Sequence, residues 1–379
     1  MNLLIISDTS MLQATDGSGL VVFEPTLREI ESVSDLFGQV VWYGYVGEDQ
    51  KLGSSRAPRR ENIQLRLLPT LKGGKSALLK IRILIVLPFL AWAIFRAMVR
   101  GDVIHTRGPS VPAAICIILS SLLGLFFRGK IFWHKYAGNW IEKSPPLMYA
   151  FQRWMLKRVR NCHVTVNGTW EEKNSCIHSF ENPCFTEREL DNANRIAAKK
   201  EFHGVLTICF VGHLTEAKGV EELLEAVRIL SHTSAPLFKL IVCGDGPLID
   251  ILKRKAEHVG TKVQFTGYLK REELNGIYES SHILVLPSRT EGFPKVVAEC
   301  AAYGCIPVVT DVSAVAQYVS HGRNGFLLDD NKMESILKVL RDVLMHSNLK
   351  AISEEAVRMS RMFTYEKFKT KVANMLNIP

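Results

Sequence analysis

Short apolar runs alternate along this chain with longer stretches whose apolar positions recur at helical spacing. In the first half the order is NLLIISD, VFEPTLREIESVSDLFG and VVWYGYV, followed later by DVIHTRG, the apolar stretch 112–127, KIFWHKYAG and CHVTVNG. The second half is more regular. VLTICFVG leads into VEELLEAVRILSH, FKLIVCGDG into LIDILKRKAEHVG and VQFTG into REELNGIYESS, and then come HILVLPS, KVVAECAAYG, CIPVVTD and the terminal helices. Buried strands that keep switching to helices call for parallel pairing through right-handed crossovers. The pattern predicts an α/β protein of two doubly wound, Rossmann-like domains in tandem, facing across a cleft. Its expected divisions are residues 1–182, a polar linker at 183–201, a second domain at 202–360, and a terminal helix at 361–379 packing back on the first domain. No internal repeat or low-complexity tract is present, so the two halves share an architecture without sharing a sequence.

A chain of 379 residues has room for two ordinary cores. Eight cysteines, mostly inside apolar runs, are expected as reduced, buried thiols. Cys162, His163, Cys176 and His178 fit no zinc spacing, and no metal is expected. Met1 opens directly into an apolar strand with no basic leader or cleavage site, which predicts a cytoplasmic protein and makes the sequon Asn167-Gly168-Thr169 a chance match.

Charge sharpens the picture. Residues 1–180 hold 22 basic and 13 acidic side chains, whereas 181–379 hold 25 of each, so the whole excess of +9 lies in the first half. Between 51 and 160, 20 basic residues face only Glu61, Asp102 and Glu142. No nucleic-acid motif accompanies this charge, so nucleic acid is not expected as a partner. The same region contains the two greasiest segments, 78–100 and 112–127. Arg82, Pro88 and Arg96 interrupt the first, and the second is too short to span a bilayer. Buried helices, one with a basic-edged apolar face resting on an anionic inner-membrane surface, are the better expectation.

The candidate chemistry lies mainly in the second half. Residues 291–299 read EGFPKVVAE, after a buried strand and at the start of a helix opening near Pro294. The carboxyl ends of parallel strands are where open α/β sheets bind ligands, and a helix N-terminus there favours an anion. A carboxylate accepts hydrogen bonds from sugar hydroxyls but repels phosphate, whereas helix N–H groups do the reverse. Glu291 and Glu299 around this turn therefore suit a sugar joined to a phosphate. Lys218-Gly219, before the helix VEELLEAV, places a cation beside another helix start, fit to neutralise a diphosphate. Near the chain start, Asp16-Gly17-Ser18-Gly19 follows the first strand and is expected to open a helix, with glycines that let backbone N–H groups approach phosphate. It lacks the third glycine of a dinucleotide fingerprint, which disfavours a dehydrogenase.

GHLTEAKGVEELLEA, LIVCGDGP, VQFTGYL and PSRTEGFPKVVAECAAYGCIPVVTD resemble, in order and spacing, the successive motifs of the family 4 glycosyltransferases, retaining enzymes of GT-B fold. The resemblance covers the second half almost continuously and the first half only in outline. It implies that Glu291 binds the hydroxyls of the donor sugar, and that Gly292, Phe293, Pro294, Lys295 and Val296 border the sugar and phosphate. It further implies that Glu299 accepts the ribose hydroxyls, Lys218 binds the diphosphate, and Gly267 and Tyr268 border the base. From the first half, Gly17 and Gly19 would cover the phosphates, and His134 would stand near the anomeric carbon, with His105 a rival. The chain departs from the family at His213, where arginine is common, and Arg289 or Arg107 could supply the missing charge.

The resulting expectation is a metal-independent, retaining transfer from a UDP- or GDP-linked sugar to a hydroxyl of a glycan or lipid-linked acceptor in bacterial polysaccharide assembly, with Glu291, His134 and Lys218 as the catalytic set. No cofactor is expected. The competing readings are a related enzyme that epimerises or hydrolyses nucleotide sugars, which would turn over donor without acceptor, and a non-catalytic relative that only binds nucleotide or membrane.

Overall fold

The structure is a computed structural model, and it describes all residues except 15, 16, 18, 48–54, 70–76, 234, 235 and 379. The chain forms two compact units, Met1–Phe180 together with Lys369–Pro379, and Glu181–Phe368.

In unit 1 the strands are β1 (Asn2–Gln13), β2 (Leu20–Phe23), β3 (Gln39–Val46), β4 (Ser55–Arg56), β5 (Ile63–Leu68), β6 (Val103–Gly108), β7 (Ile131–Tyr136), β8 (His163–Asn167) and β9 (Ile177–Phe180). The helices are α1 (Glu24–Glu31), α2 (Ala77–Arg100), α3 (Val111–Leu122) and α4 (Leu147–Leu156). A parallel series runs β5, β3, β1, β6, β7, β8, β9. The far end of β1 departs from it and pairs antiparallel with β2, matching Met11 to Val22 and Gln13 to Leu20.

That hairpin corrects the expectation for the glycine loop. VVF belongs to a strand, and helix α1 begins only at Glu24, with a proline in its first turn. Gly17 (φ +73°) and Gly19 (φ +128°) sit in the turn, and Ala14 bonds both of them through backbone groups, at 3.1 and 2.8 Å. The loop is a hairpin turn that supplies the positive φ values glycine tolerates. Asp16 and Ser18 lie outside the described residues.

Unit 2 contains α5 (Glu187–Ala198), β10 (Leu206–Val211), α6 (Val220–Leu230), β11 (Phe238–Cys243), α7 (Ile249–Ala256), β12 (Val263–Gly267), α8 (Arg271–Ser280), β13 (Ile283–Leu286), α9 (Lys295–Ala302), β14 (Ile306–Thr310), α10 (Val315–Tyr318), β15 (Phe326–Leu328), α11 (Met333–Leu344) and α12 (Leu349–Ser360). α13 (Tyr365–Leu376) follows, and its residues from Lys369 onward rejoin unit 1, where Lys369 Nζ lies 2.6 Å from Asp35. The six strands are all parallel, in the order β12-β11-β10-β13-β14-β15. Every residue of β10, β13 and β14 is buried, as expected of strands covered by helices on both faces.

The stretch 183–201, expected as a linker, is mostly α5. Thr186 and Glu189 form a reciprocal capping box, and Leu190, Ala193 and Ala197 are buried in unit 2. The polar composition concealed a short amphipathic helix whose three buried residues sit at the 3–4 spacing of one face. All eight cysteines are free, and seven are buried.

Candidate functional site

The strand order of unit 2 reverses between β10 and β13, and the loops leaving these two adjacent strands border a topological switch point, where open α/β sheets bind ligands. After β10 the chain crosses the loop that follows β11. Leu214 N bonds Asp245 O at 2.9 Å, Gly212 N bonds Cys243 O at 3.0 Å, and Leu214 is fully buried. A Cβ at Gly244, whose φ is +136°, would lie 1.9 Å from the Gly212 carbonyl oxygen, so this crossing requires glycine. Leu214 faces inward, and His213 is left exposed at the tip.

A turn of 3₁₀ helix, Glu216–Lys218, then leads through Gly219, at φ +66°, into α6. A Cβ on Gly219 would meet the Pro287 carbonyl oxygen at 2.3 Å, and Arg289 N bonds Ala217 O at 2.8 Å, so the two switch-point loops are pinned together through backbone. This brings Lys218 and Glu291 into direct contact: Lys218 Nζ donates to Glu291 Oε1. Both side chains are partly shielded, Glu291 more than Lys218. Two residues 73 apart in sequence thus meet because their strands are neighbours in the sheet.

Beyond Glu291 the backbone turns through Gly292, Phe293 and Pro294 into α9, whose N-terminus carries no side-chain cap. Phe293 is buried, its ring stacked on Phe363 at 4.7 Å and edge-on to Tyr318 at 4.9 Å. These contacts anchor the turn and hold the start of α9 near the Lys218–Glu291 pair. Gly267, at φ +70°, accepts from Gly244 N at 2.8 Å at the end of β12, and Tyr268 is exposed beside it.

Glu299 is not drawn into that pair. It lies near the middle of α9 and accepts from the Tyr278 hydroxyl at 3.2 Å, with Arg271 Nη1 at 3.6 Å. With Phe185, Glu189, Asn192, Asn275 and Tyr303 it lines a separate small cavity of about 80 Å³. Burial works against the Arg271 charge, but Glu299 and then Glu189 hold its pKa above the ordinary value. Sequence reasoning missed this arginine, because nothing near it in sequence signals that α8 packs its first residue beside Glu299. The arginines considered as substitutes at position 213 are already engaged. Arg289 pairs with Glu222 at 3.1 Å, and Arg107 pairs with Glu29 at 2.8 Å, sharing that carboxylate with Lys135.

His134 lies inside a strand. It is the fourth residue of six in β7 and is 1% exposed. Thr106 Oγ1 lies 2.8 Å from its Nδ1, and the ring stacks on Phe132 at 6.0 Å. Burial pushes its pKa down to about 4. It lines a cavity near the amino ends of β7 and β8, away from the carboxyl ends where a parallel sheet binds its substrate. His105, the rival, is fully buried against the Trp133 carbonyl at 3.1 Å, and burial, then Arg107, keeps its pKa well below that of ordinary imidazole.

Together, the two parallel-sheet units define a GT-B-type α/β fold. The chain aligns over its full length with the Anabaena protein Alr3699/HepE solved in complex with UDP and glucose, at a TM-score of 0.70 and 14% identity, covering 100% of this chain and 99% of that one. Residues 191–360, the part containing the Lys218–Glu291 pair, match the family of glycosyl transferases group 1. An uncharacterized glycosyltransferase of Haemophilus influenzae is 32% identical over 220 residues, 57% of this chain and 60% of that protein. A Campylobacter jejuni GalNAc-alpha-(1->4)-GalNAc-alpha-(1->3)-diNAcBac-PP-undecaprenol alpha-1,4-N-acetyl-D-galactosaminyltransferase is 25% identical over 170 residues, 45% of each chain. The matched part spans 60% or less of these two relatives.

Proposed function

We propose that the protein is a retaining glycosyltransferase that moves a sugar from a UDP- or GDP-linked donor to a hydroxyl of a glycan or lipid-linked acceptor. The observation that carries this reading is the Lys218–Glu291 contact at the switch point of unit 2, beside the uncapped start of α9. In the proposed reaction the bond from the anomeric carbon to the phosphate oxygen breaks, and the electron pair leaves with the nucleoside diphosphate. The acceptor oxygen bonds the anomeric carbon on the same face, and its proton passes to the departing phosphate oxygen. Charge develops on the diphosphate, and in this reading Lys218 with the N–H groups opening α9 stabilises it. Glu291 then accepts from donor hydroxyls and holds the sugar.

The uridine nucleotide in the HepE complex makes UDP-sugars the first donors to try, and the undecaprenol-linked acceptor named for the Campylobacter relative supports a lipid-linked glycan. The basic first half of the chain fits attachment to the anionic inner face of a bacterial membrane during polysaccharide assembly. Glu299 would accept the ribose hydroxyls of the nucleotide.

The test is a panel of UDP- and GDP-sugars read by thermal shift and by nucleotide release, with and without a lipid-linked acceptor. One donor should raise the melting temperature and release nucleotide only when acceptor is present. Lys218→Ala should lower kcat about 100-fold, the scale of removing one preorganised charge-stabilising group. Release at full rate without acceptor would favour an epimerase or hydrolase, and indifference to every donor would refute the transferase reading.

A further inference from the structure

A cavity of about 540 Å³ opens in unit 1 near the amino ends of β7 and β8. Its volume is that of a small-molecule site, but it lies at the end of the sheet opposite to the carboxyl-end crevice. Arg128, Lys130, Arg158 and Arg160 line it, and among the described residues no carboxylate does. Lys130 is fixed in place, its Nζ donating to the carbonyls of Val99, at 2.8 Å, and Gly101. The Arg158 guanidinium lies 4.5 Å from the centre of the Trp154 ring, and Arg128, Arg158 and Arg160 are exposed. Four cations gathered around one concavity with no acid among them create a site of positive potential that favours an anion.

Exposed apolar side chains neighbour its lining residues: Leu122 follows Ser121, Phe126 precedes Phe127, and Trp154 packs against Arg158. Leu122 is 77% exposed, Phe126 67%, Trp92 60% and Trp154 52%. Ring contacts run from Trp92 to Phe95 and from Phe95 to both Phe126 and Phe127, which joins the outer face of α2 to the cavity wall. Large apolar side chains exposed beside arginines suit the boundary between lipid headgroups and acyl chains. Among the described residues no helix is long and apolar enough to cross a membrane, so this face would rest on a bilayer and not pass through it. A soluble phosphate ester would account for the arginines but not for the four exposed apolar side chains, whereas a lipid accounts for both.

We propose that this cavity receives the phosphate of an anionic glycerophospholipid while Trp92, Leu122, Phe126 and Trp154 enter the headgroup boundary, making the amino end of the unit 1 sheet its membrane-facing end. The inference rests on the membrane attachment proposed above and names its site.

The test is sedimentation of the full chain with vesicles of phosphatidylcholine alone and of phosphatidylcholine mixed with phosphatidylglycerol. The wild type should partition to the mixed vesicles, and Arg128→Gln combined with Arg160→Gln should reduce that partition at least about 10-fold, with an unchanged melting temperature. Leu122→Ser combined with Phe126→Ser should weaken it independently, which keeps the test decisive if the arginine variant fails to fold. No wild-type binding to either vesicle would overturn both the membrane attachment and this site, and binding that ignores lipid charge would overturn the site. Charge-dependent binding unaffected by either double variant would overturn the site alone. Binding of glycerol phosphate in free solution, with full vesicle competition and no effect of the apolar variant, would assign the cavity to a soluble ester and overturn the lipid.

Discussion

Lys218 and Glu291 were legible as residues because each sits in a glycine-marked turn between a buried strand and a helix, the setting in which a charged side chain is free to meet a ligand. For His134, an apolar run ending in a polar residue does not show where its strand stops. The strand continues two residues past the imidazole, and the ring is buried against Phe132 and Thr106. That burial has a measurable consequence. The folded pKa, about 4, lies below that of free imidazole, about 6.5, so the unfolded chain binds the proton first. The stability contributed by neutral His134 is therefore full above about pH 6.5 and is lost as pH falls toward 4, by about 2 kcal/mol between pH 7 and pH 5. We expect His134→Gln to reduce the difference between the urea midpoints at these two pH values relative to wild type. An equal difference in both proteins would show that the imidazole is not held neutral.

At the scale of elements, the switch-point loops depend on backbone that only glycine can supply. Gly219 has φ +66° and no room for a Cβ beside the Pro287 carbonyl. Gly219→Ala must therefore push the start of α6 away from the loop after β13 and separate Lys218 from Glu291. We expect a loss of more than about 1 kcal/mol of stability together with weakened donor binding, measured by urea denaturation and by the thermal shift with nucleotide sugar. Gly276 is a useful control, since it sits in α8 with open space where its Cβ would be, and Gly276→Ala should stabilise or leave stability unchanged. Helix α5 shows the opposite lesson. Its capping box, Thr186 with Glu189, is written in the local sequence and its apolar positions keep helical spacing, yet the low overall hydropathy of 183–201 pointed to a linker.

For the whole molecule, the described residues include one hydrophobic core around β10, β11, β13 and β14 in unit 2 and another around β1, β6, β7 and β8 in unit 1. Each unit has enough core to unfold cooperatively by itself. Calorimetry should accordingly resolve two transitions, with a UDP-sugar raising the one that melts unit 2, by the equivalent of about 2.7 kcal/mol at a hundredfold excess over Kd. A single transition, or an equal shift of both, would mean that the units unfold as one. The alternation of apolar runs and helices, the parallel sheets, the confinement of excess charge to the first half and the identity of the lysine and glutamate were all determined by the sequence itself, because each follows from local composition and spacing. Tertiary structure alone decided that Lys218 touches Glu291 while Glu299 turns to Arg271, that His134 is buried, and that four cations line one cavity. These are matters of which strands become neighbours and which end of a sheet a side chain approaches, and a linear pattern of apolar and polar residues does not encode either.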